Sequence, residues 1–277
     1  MNFEAYLNAK ASVERSCLNA TVLSEVKGLL GGRSDPAVLE VGAGTGSMPI
    51  HLSENDILPE GTRYVALDED ADALDRGRER LAGHPLSEGR KDAGVRMGGT
   101  VVEFTEGDLY DTEGDYDLVV AHAVLDLLEL DEAVEHLLSV ADLFYFPVSF
   151  DGVTAFEPRY DEELDGRIEE AYHGTMDERE GSSETGRRAF GAVRKAGGTV
   201  TSAGASDWVV FPGEDGYTED EEYLLRYITE TVYEAVEGRG GIEESRLREW
   251  AKDRRARIED EELVYIAHQL DLAGRTD

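Results

Sequence analysis

Cysteine is nearly absent. Cys17 stands alone among 277 residues, so no intrachain disulfide can form and no thiolate cluster is at hand for zinc. Lysine is scarce too: Lys10, Lys27, Lys91, Lys195 and Lys252 are the only five, against 22 arginines. Long apolar runs are missing, and no stretch approaches the ~18 residues of a membrane helix. The segment Met1 to Tyr6 has neither the basic nor the apolar region of a secretory signal. The six histidines (His51, His84, His122, His136, His173, His268) show no close metal-ligand spacing. Neither a metal site nor a membrane span is expected.

Acid is present in excess. The chain has 61 acidic and 27 basic residues, a formal net charge of −34. Such an excess destabilises a compact fold by self-repulsion in dilute salt. Molar salt shortens the Debye length to about 3 Å and removes most of that repulsion. The acids are spread along the whole chain rather than gathered in a tail, which points to the cytoplasmic protein of an extreme halophile. Acidity of this origin argues only weakly against a nucleic-acid substrate. The hydrophobic fraction of 40% suffices for the core of one α/β domain with substantial insertions.

The chain is organised around Val38-Leu39-Glu40-Val41-Gly42-Ala43-Gly44-Thr45-Gly46. The apolar, β-branched run suits a strand covered on both faces. The glycines permit positive φ and close approach of a ligand to the backbone. A helix from about Thr45 to Leu52 follows, with free N–H groups at its start. Arg63 to Leu67 reads as the next strand, ending in Asp68-Glu69-Asp70; Asp68 lies 22 residues beyond Gly46. An acid at that place accepts hydrogen bonds from both ribose hydroxyls of a nucleoside. A dinucleotide fingerprint spaces its glycines G-x-G-x-x-G. Here the spacing is G-x-G-x-G, and Glu40 would repel a pyrophosphate while suiting a cationic amino-acid group. An NAD-dependent oxidoreductase is disfavoured on both counts.

With Glu40, Gly42, Gly44 and Gly46 in the pattern E/D-x-G-x-G-x-G and Asp68 beyond, the chain resembles the class I S-adenosylmethionine-dependent methyltransferases, in a haloarchaeal-type, small-molecule-like form. The resemblance implies a doubly wound, Rossmann-like seven-stranded sheet whose last strand is antiparallel. It implies S-adenosyl-L-methionine as cofactor, held by Glu40, Gly42, Ala43, Gly44, Gly46, Asp68 and Glu69. It adds Asp108 and Leu109, which would read the adenine at the end of a third strand (100–104), and Ala121, at the end of a fourth (116–120), which would face the sulfonium methyl group.

The rest of the chain is assigned in order. Residues 3–31 read as one helix, either a lid over the nucleoside site or an amphipathic helix packed on the core. In the first case Tyr6, Lys10 and Arg15 are lid contacts. Asp70 to Leu81 is a second helix, and the charged, glycine-containing 84–98 a loop. His122 and Asp126 follow the fourth strand as candidate substrate contacts, His122 being the base to test if the acceptor is an oxygen. Asp131 to Val140 is a helix, 143–150 a fifth strand, 184–196 a helix, 199–211 a sixth strand and 263–270 the last. Helical cap insertions at 151–183 and 213–262 would wall a substrate pocket, with Tyr172, His173, Trp208, Tyr217 and Tyr223 as amphipathic wall candidates.

The expected organisation is therefore one domain over 1–277. It comprises a lid helix (1–34), a cofactor-binding half (35–150) and the two caps. The expected reaction is in-line methyl transfer to a small-molecule acceptor, in which orientation of the reacting groups does most of the work. An RNA-modifying methyltransferase is the alternative, but it would want a basic groove, and the arginines are scattered. A non-catalytic S-adenosylmethionine-binding protein is the other, since fold does not determine function.

Overall fold

The computed structural model describes residues 3–91, 94–178 and 180–276. Its centre is a parallel stack of apolar strands: β1 (Ala37–Val41), β2 (Arg63–Asp68), β5 (Thr100–Glu106), β6 (Tyr116–Ala121) and β7 (Ala141–Glu157). β1 pairs with β2 and with β6, β2 with β5, and β6 with β7, all parallel. The last strand, β10 (Val264–Thr276), runs antiparallel between β7 and β8 (Gly198–Ala205), as expected.

The strand count differs from the expected seven. Among the described residues the sheet has ten strands, β3 (Ser87–Lys91) and β4 (Gly94–Met97) among them, in the order β3-β4-β5-β2-β1-β6-β7-β10-β8, with β9 (Trp208–Val210) beside β10. Two of the additional strands come from the stretch read as a loop. β3 and β4 form an antiparallel hairpin on the edge of β5, and residues 92–93 between them lie outside the described residues. The third comes from the expected sixth strand, which breaks at Ser206-Asp207 into β8 and β9. Asp207 Oδ1 there accepts from the Gln269 N–H at 3.2 Å and lies 2.6 Å from His268 Nδ1.

Helices cover both faces because alternate strand residues point to opposite sides. One face packs Val38, Tyr64 and Val102 under α2 (Ala20–Leu30), α3 (Ser47–Glu54) and α4 (Ala71–Gly83). The other packs Leu39, Val65 and Val119 under α5 (Leu130–Ser139) and α7 (Thr185–Lys195). The expected single N-terminal helix is two: α1 (Phe3–Cys17) ends before Asn19, whose side chain caps α2 by accepting from the N–H groups of Thr21 and Val22. Buried Asp271 accepts the Asn19 N–H at 2.8 Å and so anchors the break.

A third core lies above the sheet. α1, α6 (Glu162–Asp177), α8 (Glu219–Val236) and α9 (Glu244–Glu259) pack on the extended ends of β7 and β10 and on β9, around Trp250, Leu225 and Tyr265. The first cap segment begins later than 151, because β7 continues as strand to Glu157. No helix among the described residues is long and apolar enough to cross a membrane.

Candidate functional site

The loop after β1 carries Gly42, Gly44 and Gly46 at φ of +66°, +50° and +68°. At Gly42 an added Cβ would lie 2.8 Å from Val124 Cγ2, while at Gly44 it would meet nothing within 4 Å. The loop is therefore tight against the fold at Gly42 and open at Gly44. The Ala43 N–H donates to the Leu67 carbonyl at 3.0 Å, and the Gly44 N–H to Asp68 Oδ2 at 2.7 Å. These two bonds tie the loop to the end of β2. Gly46 caps α3 from a left-handed conformation.

Beside the loop opens a cavity of about 440 Å³, within the usual range for a small-molecule site. Its lining includes Gly42, Gly44, Asp68, Glu69 and Leu109, with Tyr6 and Lys10 from α1 above. A nucleoside fits this lining: an exposed glycine backbone, two adjacent carboxylates at a strand tip, and the apolar Leu109, Val124 and Leu128.

Five residues expected here are elsewhere, the first being Ala43, which is 5% exposed and does not line the cavity. Glu40 is 1% exposed on the face of β1 opposite to Leu39 and Val41, and its Oε2 accepts from Tyr64 Oη at 2.9 Å. Burial pushes its carboxyl up to about 8, against the lowering effect of the Tyr64 hydrogen bond and with a further upward push from Asp68. The Asp108 side chain is exposed and caps the following turn through the Tyr110 N–H at 2.8 Å. Ala121 is wholly buried, and Gly46 packs against Leu81 and Phe104. These residues shape the fold around the cavity without lining it.

A second cavity of about 440 Å³ lies beneath the third core. Tyr6, Lys10, Ala123 and Leu127 line both cavities, so the two meet under α1. Aromatic rings dominate the second: Tyr172, Tyr227, Tyr265, Trp208 and Phe150. Tyr6 stacks on Tyr227 with ring centroids 3.9 Å apart. Ala123 and Val148 line this cavity at φ of +51° and +58°. Strained non-glycine backbone of this kind gathers at functional sites.

Asp126 and Trp208, both expected as substrate contacts, line the second cavity. His173 does not; its Nε2 lies 3.0 Å from Thr154 Oγ1, and the ring meets Phe150 edge-on, both partners being on the cavity wall. Tyr217 and Tyr223 are not on the wall either, and the Tyr217 hydroxyl donates to the Leu263 carbonyl at 2.5 Å. Gln269 and Thr154, absent from the expected set, do line it. Gln269 had a signal in the sequence: Tyr265, Ala267 and Gln269 alternate along β10 on one face.

His122 lines neither cavity. Its Nε2 lies 3.4 Å from Glu14 Oε2, and it borders a small space with Arg15, Met48 and His51. Burial lowers its pKa and the Lys10 ammonium and His51 add to that, with Glu14 opposing. The imidazole is thus turned toward Glu14 of α1 rather than into either cavity. Glu14, 4% exposed, also pairs with Lys10 Nζ at 3.1 Å. Burial disfavours the Lys10 charge, but Glu14 and its neighbours outweigh this and raise the pKa.

Residues 39–143 match the family model for a methyltransferase domain. No curated protein matches the chain. Among solved structures, similar ones include a magnesium protoporphyrin IX methyltransferase from Synechocystis with bound SAH (19% identity, 67% of this chain and 75% of that one, TM-score 0.46). Others are a putative methyltransferase from Bacillus halodurans (14%, 93% and 100%, TM-score 0.49) and a cyclopropane synthase from Mycobacterium tuberculosis (11%, 91% and 82%, TM-score 0.47). The matched segment holds the glycine loop, the acidic tip of β2 and the end of β6, and over residues 39–143 the chain is similar to a methyltransferase domain.

Proposed function

We propose that the chain, acting as one domain, methylates a small molecule held in the aromatic cavity. The observation that carries this reading is the junction of the two cavities at Tyr6, Lys10, Ala123 and Leu127. A donor beside the glycine loop and an acceptor among the rings would face each other there. When bound, S-adenosylmethionine supplies a methyl group on a sulfonium sulfur, open to displacement by an acceptor nucleophile.

The chain's own part is positional. Gly42 and Gly44 admit the ligand to the backbone, Asp68 and Glu69 accept from hydroxyl groups, and Leu109 offers an apolar wall. Tyr6 and Lys10, reaching down from α1, close the junction from water. Orientation of this kind removes several kcal/mol of a displacement barrier. His122 serves through Glu14 to hold Lys10 and α1 in place. The cap segments 151–183 and 213–262 wall the acceptor side, with β7 forming the first part of the former. The charge of −34 is read as adaptation to molar salt, in the cytoplasm of an extreme halophile.

The test is transfer of labelled methyl from S-adenosylmethionine in molar KCl, with the low-mass fraction and the RNA of a cell extract offered separately. Label in the low-mass fraction is expected. Label entering only RNA would overturn the small-molecule reading.

A further inference from the structure

The aromatic cavity contains two oxygen atoms that the protein leaves unsatisfied. Gln269 is 4% exposed and lines the cavity, and its Oε1 has no hydrogen-bond partner. Asp126 lines it too, with Oδ1 buried and equally without a partner. Buried acceptors left unpaired are costly and rare. Both belong to the same wall-lined space, so one ligand that donates hydrogen bonds would satisfy both.

The charges on the wall narrow the class of ligand. Lys10 also lines the cavity, but its ammonium is matched by Glu14 at 3.1 Å. Asp126 forms no salt bridge among the described residues, so one negative charge on the wall stays uncompensated. Burial raises the Asp126 pKa, with a backbone hydrogen bond and the nearby Lys10 partly opposing. The surrounding rings, Tyr172, Tyr265, Trp208 and Phe150, have electron-rich faces that attract cations and flat surfaces that pack apolar bodies.

We propose that the acceptor is a small amine carried on a flat apolar body lodged among the rings: it enters as an ammonium that donates to Asp126 and Gln269, passes one proton to the Asp126 carboxylate, and takes the methyl group on the lone pair so freed, the C–N bond forming as the C–S bond of the sulfonium breaks to leave the neutral thioether. The proposal rests on the methyltransferase reading, since it takes the aromatic cavity as the acceptor's. An alcohol of the same shape donates to Asp126 without supplying charge. A carboxylate is repelled by it.

The experiment is calorimetric titration of the full chain in molar KCl. SAH is titrated first, and the SAH-saturated protein then receives 2-phenylethylamine, 2-phenylethanol or phenylacetate. At least tenfold tighter binding of the amine than of the alcohol is expected, with phenylacetate weakest. Asp126→Asn should erase the preference, and Gln269→Leu should weaken the amine severalfold, both variants still binding SAH. Equal binding of amine and alcohol, no amine binding to the SAH-loaded protein, or an unchanged preference in Asp126→Asn would overturn the proposal. Failure of SAH itself to bind wild type would overturn the donor reading beneath it, and is told apart by coming first.

Discussion

Asp68 Oδ2 accepts a hydrogen bond from the Gly44 N–H at 2.7 Å, joining the tip of β2 to the middle of the glycine loop. Its Oδ1 accepts from the Asp70 N–H at 2.9 Å. The carboxylate therefore shapes the loop as well as facing the cavity. Asp68→Ala removes a charged acceptor from both duties. Hydrogen bonds to charged groups contribute about 1.5–3 kcal/mol, so donor affinity should fall roughly ten- to hundredfold. Calorimetry with SAH measures it; unchanged affinity would remove Asp68 from the site.

Glu40 gives stability a pH dependence of known sign. Burial holds its folded pKa at about 8, well above the ordinary 4.5. Between those values the folded chain keeps a proton that the unfolded chain has lost, so stability falls as pH rises across that window. The slope is at most about 1.4 kcal/mol per pH unit. Glu40→Gln, which never ionises, should lack this component. Denaturation of both proteins from pH 5 to 9 should show the wild type losing ground to the variant up to about pH 8 and no further. Parallel curves would contradict the burial of an ionisable Glu40.

Lys10 and Glu14 form a pair whose halves depend on each other. Lys10→Met leaves the buried Glu14 carboxylate without its ammonium at 3.1 Å. A broken buried pair costs about 3–5 kcal/mol, and the partial exposure of Lys10 brings the expected loss to about 2 kcal/mol. The double variant Lys10→Met/Glu14→Gln should regain at least half of it. Additive losses in a double-mutant cycle would show that the two side chains do not interact.

The parts of this architecture that rest on local patterning are the ones the sequence showed. β1, β2, β5, β6 and β10 are unbroken apolar or alternating runs, and their order follows from the doubly wound pattern. Among the described residues, the β3–β4 hairpin carries only Val95 and Met97 as buried apolar residues amid charge, too weak a periodicity to separate from a loop. The division between α1 and α2 depends on Asp271, 252 residues away from Asn19. The break between β8 and β9 depends on Asp207 meeting His268.

The site divides in the same way. Gly42, Gly44, Asp68, Glu69 and Leu109 reached the first cavity as read, because a loop and a strand tip are local objects. Glu40 did not, since the alternation of β1 turns its side chain to the face shared with Val38 and Tyr64. The second cavity is assembled from α1, α6, α8 and three strands, so its lining follows from packing that no local motif encodes.

Salt should control the stability of the whole molecule. With a net charge of −34, repulsion is strong in dilute buffer and screened within about 3 Å in molar salt. The midpoint of thermal unfolding should climb steadily with KCl into the molar range. Equal midpoints in dilute buffer and in 2–3 M KCl (values of order ~1 M being where screening becomes short-ranged) would contradict the halophilic reading.

The central claim is that the cavity beside the glycine loop takes S-adenosylmethionine. Calorimetric titration of the purified chain in molar KCl with S-adenosylmethionine, SAH and NAD tests it most directly. Micromolar-range binding of the first two and none of NAD is the predicted result. Binding of NAD alone would contradict it.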